Sequence, residues 1–375
     1  MHGRGWPPRE RNTLPRRVGS RLGSRTDGAT ATHRPGYVAA MPRVETLDAN
    51  SDGAIARAAQ RLRDGELVAF PTETVYGLGA NALDADAVAR IFATKGRPSH
   101  NPIIVHVASI DDARRVVRTW PPVAQRLAER FWPGPLTLVL PKSPDVPSSV
   151  TAGLDKVGVR VPSHPVALAL LRQACVPVAA PSANRSNAVS PTTAQHVATS
   201  LAGNDVLVLD GGACEVGIES TVVDISGEVP VLLRPGGLTK EALERELGCA
   251  VALATTTARD DAPRASPGML HKHYAPRAKV VVVAHGDAEG AARAIEAAKA
   301  RGPVGALAIT EQVRSALREC DRIAAMANDP RGYARWLYAE LHAMDDAHVE
   351  TIVIEDVPHD AAWDGVRDRL TRASR

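Results

Sequence analysis

The sequence predicts an α/β protein with a mixed α/β N-terminal domain and a smaller, doubly wound C-terminal domain. The chain has 375 residues, whereas single hydrophobic cores stop growing at about 250–300 residues. Many short apolar runs alternate with segments of helical periodicity, which is typical of α/β folds. A polar stretch at 255–266 interrupts this pattern and predicts a linker between the two domains.

In the predicted N-terminal domain, 44–249, apolar residues from Ile55 to Leu62 recur at helical spacing before Gly65, a suitable residue just past a helix end. A helix at 84–94 likewise ends before Gly96. Strands are predicted at 66–70, 103–107, 136–140, 157–161, 176–180, 206–209, 221–225 and 231–233. Further helices are predicted from Ser163 with Pro165 in the first turn, after Pro191, and over 239–248.

After a predicted linker at 250–278, the C-terminal domain, 279–375, alternates strands and helices. Apolar runs at 279–284, 304–309 and 351–354 predict buried strands, and helices are predicted near 288–301, 312–319, 330–344 and 361–373. This alternation predicts a small, Rossmann-like parallel sheet, although no Gly-rich phosphate motif accompanies it. On the 330–344 helix we expect Tyr333, Trp336, Leu337 and Tyr338 to be core residues.

Charge and cysteine content narrow the possible functions. Residues 1–40 hold eight Arg against Glu10 and Asp27, a net +6, so the remainder carries −3 of the total charge of +3. We expect 1–43 to be a disordered basic tail or an extension upstream of a true start at Met41. The acidic remainder disfavours a nucleic-acid-binding module. The sequence has no C-x-x-C pair of the kind that forms a zinc ribbon. No apolar run reaches the ~20 residues of a membrane helix. We therefore expect a cytoplasmic protein with reduced cysteines.

Polar residues interrupt the apolar runs at several strand ends. Hydroxyl-bearing PTETVYGLG (71–79) follows one strand, basic KGRPSHNP (95–102) follows a helix, and LRPGG (233–237) ends another strand. Each segment alone is compatible with an ordinary turn or a solvated helix end. Together they favour an anionic ligand, because cations and hydroxyl groups neutralise and hydrogen-bond phosphate and carboxylate oxygens. Neither G-x-x-x-x-G-K-[ST] nor G-x-G-x-x-G occurs after a strand, so a nucleotide needs another kind of site.

These segments resemble the Sua5/YrdC/YciO family, specifically its long two-domain Sua5 type, over roughly 44–375. The matching strings are PTETVYGLGANA, KGRPSHNPIIVHV, WPGPLTLVL, VGVRVPSHP, APSAN, GIESTVVD, LLRPGG and, at 266–276, SPGMLHKHYAP. The resemblance implies a YrdC-like N-terminal domain with a Sua5 C-terminal domain. It also implies a nucleotidyltransferase that joins L-threonine, bicarbonate and ATP into threonylcarbamoyl-AMP, releasing pyrophosphate, for threonylcarbamoyladenosine (t6A) modification of tRNA.

The resemblance also implies roles for thirteen residues. Lys95 and Arg97 match catalytic positions and also hold ATP. Threonine and its carbamate are held at positions matching Thr74, His106, Arg160 and Ser220. The remaining positions that hold ATP match Asn101, Lys156, Ala180, Ser182, Ser190, Arg234 and Tyr274, the last of which closes over the nucleotide.

Several expectations accompany this assignment. Mg²⁺ is expected to accompany ATP without protein ligands, and the product is expected to pass to the t6A transferase machinery without stable tRNA binding. Relatives often have Gly near position 187, where this chain has Asn187, the next residue most tolerant of a left-handed backbone. His271 and His273 are expected to serve the linker, not a metal. The alternative is a non-catalytic RNA-binding or ribosome-associated module, which would be strongly salt-dependent. A hydrogenase-maturation carbamoyl transferase would bring zinc-binding C-x-x-C pairs that the sequence lacks.

Overall fold

The computed structural model describes residues 43–254 and 274–374 and has two β-sheets. We call the part with the first sheet the N-terminal domain and the part with the second sheet the C-terminal domain. The boundaries predicted at 44–249, 250–278 and 279–375 stay predictions. The linker motif at 266–269, His271, His273 and the basic tail up to residue 42 lie outside the described residues.

The first sheet has 11 strands in the order β1-β8-β2-β3-β7-β4-β6-β5-β9-β10-β11, with parallel and antiparallel neighbours. Its strands are β1 Val44–Asp48, β2 Val68–Phe70, β3 Gly77–Asn81, β4 Val105–His106, β5 Leu136–Pro141, β6 Lys156–Arg160, β7 Val178–Ala179, β8 Val206–Asp210, β9 Thr221–Asp224, β10 Val231–Arg234 and β11 Ala252–Leu253. The mixed α/β fold class is confirmed.

Helices cover both faces of this sheet: α1 Ala54–Arg63, α2 Ala85–Lys95, α3 Ile110–Val116, α4 Pro122–Phe131, α5 Pro165–Ala174, α6 Ala194–Ser200 and α7 Lys240–Leu247. Two apolar clusters lie against the sheet. In β2, Ala69 packs in one cluster and Phe70 packs in the other, because successive side chains of a strand point to opposite faces of the sheet. Gly65 and Gly96 have positive φ angles just past α1 and α2, so both predicted helix ends are confirmed.

The second sheet is wholly parallel, in the order β12-β15-β13-β14. Its elements are β12 Lys279–Val283, α8 Ala288–Lys299, β13 Val304–Ala308, α9 Glu311–Ala316, β14 Arg322–Ala325, α10 Pro330–Asp346, β15 Thr351–Glu355, a 3-10 helix Ala361–Trp363 and α11 Asp364–Ala373. Val353 packs on one face of β15, whereas Ile352 and Ile354 pack on the other. The predicted Rossmann-like arrangement is confirmed.

One apolar cluster crosses from one domain to the other. Val75, Val189 and Ile218 of the N-terminal domain pack with residues of α10 and α11. Gly217 approaches α10 closely, because a Cβ there would lie 2.3 Å from the Ala334 carbonyl oxygen. Its φ of 79° also favours glycine. The two domains therefore share part of their packing.

The structure corrects three expectations. Trp336 is 53% exposed, so its assignment to the core is wrong, because it lies on the outer face of α10. The cap of α5 is His164, not Ser163: its Nδ1 accepts the Val166 amide. The elements that were not predicted from the sequence are β1, β3, β11, β14, α3 and α4. Within residues 43–254 and 274–374, no helix is long and apolar enough to cross a membrane.

Candidate active site

Nine of the thirteen residues singled out in the sequence line one hollow in the N-terminal domain. They are Thr74, Arg97, His106, Arg160, Ala180, Ser182, Ser220, Arg234 and Tyr274. Ile104, Pro181 and Glu219 complete its lining. The hollow thus collects segments that are widely separated in the sequence.

Neighbouring strands place two of these side chains together. In the parallel pairing of β4 and β6, His106 lies beside Arg160. Both residues are buried. The Arg160 guanidinium donates from Nη1 to Thr74 Oγ1 at 3.0 Å and from Nε to the Gly134 carbonyl at 3.2 Å. Hydrogen bonds to two separate loops therefore fix the direction of this cation.

Glu73 balances the charge of Arg160, a role that the sequence analysis missed. Its Oε1 lies 2.6 Å from Arg160 Nη2, and both side chains are almost fully buried. Its other oxygen accepts the Ser163 amide at 3.1 Å. An acidic residue between two threonines in PTET was a visible signal, but its partner Arg160 is distant in the sequence.

His106 is held in its neutral form. Burial, aided by the nearby charge of Arg160, lowers the pKa of His106 to about 3. Its Nδ1 has no hydrogen-bond partner among the described residues. A neutral imidazole in this position offers a hydrogen bond to a ligand without adding charge.

Arg97 and Arg234 bring two more cations to the hollow. Arg97 donates to the carbonyl oxygens of Asn101 and Pro102 at 3.2 and 2.7 Å, and burial lowers its pKa to about 10. Arg234 donates from Nε and Nη2 to the Ser220 carbonyl at 3.1 and 2.9 Å. Burial lowers the pKa of Arg234 as well. Both guanidinium groups are therefore held by hydrogen bonds to backbone carbonyl oxygens.

The backbone beneath Ser220 is tightly packed. Ser220 Oγ lies 2.9 Å from Thr137 Oγ1 on β5. A Cβ at Gly236 would lie 2.5 Å from the Glu219 carbonyl oxygen and 2.5 Å from the Thr221 amide nitrogen. The segments 217–221 and 234–237 therefore approach backbone to backbone, which only glycine at position 236 permits.

Four residues singled out in the sequence are not in the lining of the hollow. Lys95 is buried behind it, and its ammonium donates to the Ser182 carbonyl at 2.5 Å and also to the Asn184 carbonyl. Burial lowers its pKa well below the ordinary lysine value. The geometry links Lys95 to the shape of the 180–184 loop, and Lys95 itself does not line the hollow.

The other three have different surroundings. Asn101 is buried beside Arg97, and both atoms of its side-chain amide lack hydrogen-bond partners among the described residues. Lys156 borders a separate small pocket and forms an ion pair with Asp224 at 2.8 Å. The Ser190 hydroxyl donates to Glu219 Oε1 at 2.6 Å. Ser190 therefore contacts a residue that lines the hollow but does not line it itself.

Tyr274 closes one side of the hollow and is buried there. It has a left-handed backbone, with φ of 61°. The guanidinium carbon of Arg369 lies 5.3 Å from its ring centroid, and the Tyr338 ring centroid lies 5.8 Å away. Both contacts come from the C-terminal domain; Tyr338 was predicted as a core residue, and Arg369 was not singled out in the sequence.

Comparison with known proteins places the chain in a family. The Sua5/YciO/YrdC family model, described as "Telomere recombination", matches residues 60–236. A second model, "Threonylcarbamoyl-AMP synthase, C-terminal domain", matches residues 238–375.

Individual relatives agree with these matches. A threonylcarbamoyl-AMP synthase of Pyrococcus abyssi is 44% identical over 317 residues, which is 84% of this chain and 93% of the relative. One of Bacillus subtilis is 44% identical over 86% of this chain and 94% of the relative. The crystal structure of P. abyssi Sua5 complexed with L-threonine has a TM-score of 0.81 and 42% identity, covering 88% of this chain and 97% of that one. This chain therefore belongs to the Sua5 family of threonylcarbamoyl-AMP synthases.

Proposed function

We propose that this chain condenses L-threonine, bicarbonate and ATP into threonylcarbamoyl-AMP and releases pyrophosphate, with the described hollow as its active site. The observation that carries this proposal is the presence of three buried guanidinium groups, those of Arg97, Arg160 and Arg234, in one hollow. The names of the curated relatives and the threonine complex of P. abyssi Sua5 support the same reaction.

The proposed chemistry explains the need for several cations. In the first step the threonine amine attacks the carbon of bicarbonate, a C–O bond breaks, water leaves, and the amine becomes a carbamate. A carbamate oxygen then attacks the α-phosphorus of ATP, the bond to the bridging oxygen breaks, and pyrophosphate leaves. Two anions must therefore meet, and two unit charges 4 Å apart repel by about 4 kcal/mol at an effective dielectric constant of 20. Fixed guanidinium groups offset this repulsion without reorganising during the reaction.

The threonine side of the hollow is proposed to be the His106 and Arg160 side. Arg160 supplies a directed cation for the threonine carboxylate or carbamate, because Thr74 and the Gly134 carbonyl fix its orientation. His106 contributes a neutral hydrogen-bonding group. Ser220 supplies a hydroxyl from the adjoining strand end.

The ATP side is proposed to be formed by Arg97, Ser182 and Arg234, with Tyr274 closing over the nucleotide and Ala180 offering its backbone. Lys95 is proposed to act from behind, by holding the 180–184 loop on which Ser182 lies. Asn101, Lys156 and Ser190 belong to the proposal as residues bordering the nucleotide. The unpartnered amide of Asn101 supports its assignment, since buried amides are usually hydrogen-bonded.

Mg²⁺ enters the proposal as part of the ATP substrate. No cluster of three or more His, Cys, Asp or Glu among residues 43–254 and 274–374 has the arrangement of a metal site. The two carboxylates beside the hollow, Glu73 and Glu219, form ion pairs with Arg160 and Arg369. We propose that Mg²⁺ would be held by the ATP phosphates and water without protein ligands, and would offset phosphate charge. We further propose a cytoplasmic location and transfer of the product to a t6A transferase without stable tRNA binding.

The test is pyrophosphate release measured with each substrate omitted in turn. The proposal predicts release from Mg²⁺-ATP only when both L-threonine and bicarbonate are present. Arg160→Gln and Arg97→Gln are expected to lower kcat/KM by about 100-fold or more, because each removes a charge-assisted contact from a closed site. Arg118→Gln is the matched control, since Arg118 forms an exposed ion pair with Asp155. Release independent of threonine, or equal activity in all three variants, would contradict the proposal.

A further inference from the structure

Arg369 is a buried cation of the C-terminal domain whose side chain contacts residues of the N-terminal domain. It lies on α11 of the C-terminal domain, and its side chain has no exposure to solvent. Its Nε donates to Glu219 Oε2 at 2.8 Å, and its Nη1 donates to the Pro235 carbonyl at 2.9 Å and to Asp368 Oδ2 at 2.8 Å. Burying a guanidinium is costly unless it is paired, so this position calls for a specific explanation.

Its partner, Glu219, is fully engaged. Oε2 accepts from Arg369 and from the Tyr338 hydroxyl, at 2.8 and 3.0 Å. Oε1 accepts from the Ser190 hydroxyl at 2.6 Å. Two of these three donors come from α10 and α11, so the C-terminal domain supplies most of the support of this carboxylate.

A carboxylate in the lining of a site for anions is unfavourable by itself. Burial opposes its ionisation, but the charges of Arg369 and Arg234 outweigh that effect, and the pKa of Glu219 lies below its ordinary value. Glu219 is therefore ionised in the folded protein. Without the Arg369 guanidinium, its negative charge would face the carbamate and the phosphates with much less compensation.

The position of Glu219 also determines the shape of the site. The next residue, Ser220, lines the hollow, and its carbonyl oxygen accepts a hydrogen bond from Arg234. The Glu219 carbonyl accepts from Arg369 Nη2 at 3.3 Å and lies against Gly236. Glu219 is thus joined through the backbone to Ser220 and, through the Ser220 carbonyl, to Arg234.

We infer that Arg369 and Tyr338 are positioning residues of the active site, which act by holding and neutralising Glu219, and that the C-terminal domain completes the site in this way. The inference rests on the proposed function, because it concerns the same hollow. It assigns the C-terminal domain a task in the reaction that requires no ligand of its own.

The experiment compares Arg369→Gln with Arg367→Gln in the full chain. Arg367 lies on the same helix and pairs with Asp364, away from the hollow. We expect Arg369→Gln to lower kcat/KM for pyrophosphate release by about 100-fold, the order of effect of a misplacement of 1 Å. We expect Arg367→Gln to remain within about twofold of the unmodified chain, because its partners, Asp364 and the carbonyl oxygens of Pro358 and Asp360, do not line the hollow.

The pH profile separates neutralisation from a general structural effect. In Arg369→Gln, Glu219 should take up a proton at higher pH than in the unmodified chain. The deficit should therefore shrink as the pH is lowered, whereas a general loss of structure would not recover. The double variant Glu219→Gln/Arg369→Gln should be more active than Arg369→Gln alone, since it removes the uncompensated charge.

Tyr338→Phe is the second, milder variant, because it removes one hydroxyl and leaves the packing intact. We expect it to lower kcat/KM by about tenfold, the equivalent of one hydrogen bond to a charged group, with a melting temperature near that of the unmodified chain. If Arg369→Gln does not fold, Tyr338→Phe decides: activity equal to that of the unmodified chain overturns the inference. Equal activity of the folded Arg369→Gln and Arg367→Gln also overturns it. Absence of threonine-dependent release in the unmodified chain would instead contradict the proposed function.

Discussion

Protonation of His106 should be coupled to unfolding. The pKa of this buried imidazole is about 3 in the folded chain and about 6.5 in an unfolded one. A group with a lowered folded pKa stabilises the fold fully above its unfolded pKa, and this stabilisation is lost as the pH falls. Between pH 7 and pH 5 the unfolded imidazole becomes almost fully protonated, whereas the folded one does not. The free energy of unfolding should therefore fall by about 2 kcal/mol over this interval because of His106 alone.

The assay is urea unfolding, followed by circular dichroism, of the unmodified chain and of His106→Gln at pH 7 and pH 5. Glutamine keeps a polar side chain of similar size but does not titrate in this range. Other titrating groups contribute equally to both proteins and cancel in the comparison. We expect the pH dependence of the unfolding free energy to be about 2 kcal/mol smaller in His106→Gln. An equal pH dependence in the two proteins would refute the assignment of a buried, neutral imidazole.

Three further predictions concern the backbone and substrate choice. Gly236→Ala should lower the free energy of unfolding by about 1–3 kcal/mol, because its Cβ would meet backbone atoms at 2.5 Å, whereas Gly227→Ala, with no atom within 4 Å, should change it little. Asn187→Val should lower the free energy of unfolding by about 1–2 kcal/mol, since φ at Asn187 is 66°. Asn187→Gly should leave it nearly unchanged. Thermal unfolding of each variant checks both, and equal melting temperatures within either pair would contradict the stated reason. Serine should be used with a kcat/KM lower by about 5- to 150-fold than threonine, since one methyl group is worth ~1–3 kcal/mol; equal values would contradict this.

The elements that the sequence predicted well have strong local signals. The strand predicted at 206–209 is observed as β8, Val206–Asp210. The helix expected over 239–248 is α7, Lys240–Leu247, capped by Thr239 and Gly248. The left-handed backbone expected at Asn187 is confirmed. Weak signals were missed: β14, Arg322–Ala325, is a short, largely exposed strand, and α3 has only seven residues. Their apolar patterns are too brief to distinguish from loops.

The candidate site was predicted through its motifs, not through its contacts. Residues such as Thr74 and Arg234 could be singled out because they lie where apolar runs end in polar segments. The supports of the site could not, because Glu73 and Arg160 are 87 positions apart in the chain, and Glu219 and Arg369 are 150 positions apart. Such pairs have no sequence spacing that signals them, and only the folded chain brings them together, with Arg160 on β6 and Arg369 on α11.

The central claim is that the hollow joins the carbamate of threonine to the adenylate of ATP. The most direct test is mass spectrometry of the nucleotide product formed from Mg²⁺-ATP, L-threonine and ¹³C-labelled bicarbonate. The account predicts a threonylcarbamoyl-AMP whose mass increases by one unit when the label is present, and whose formation falls together with pyrophosphate release in Arg160→Gln. An adenylate without the label, with threonine joined directly to AMP, would contradict it.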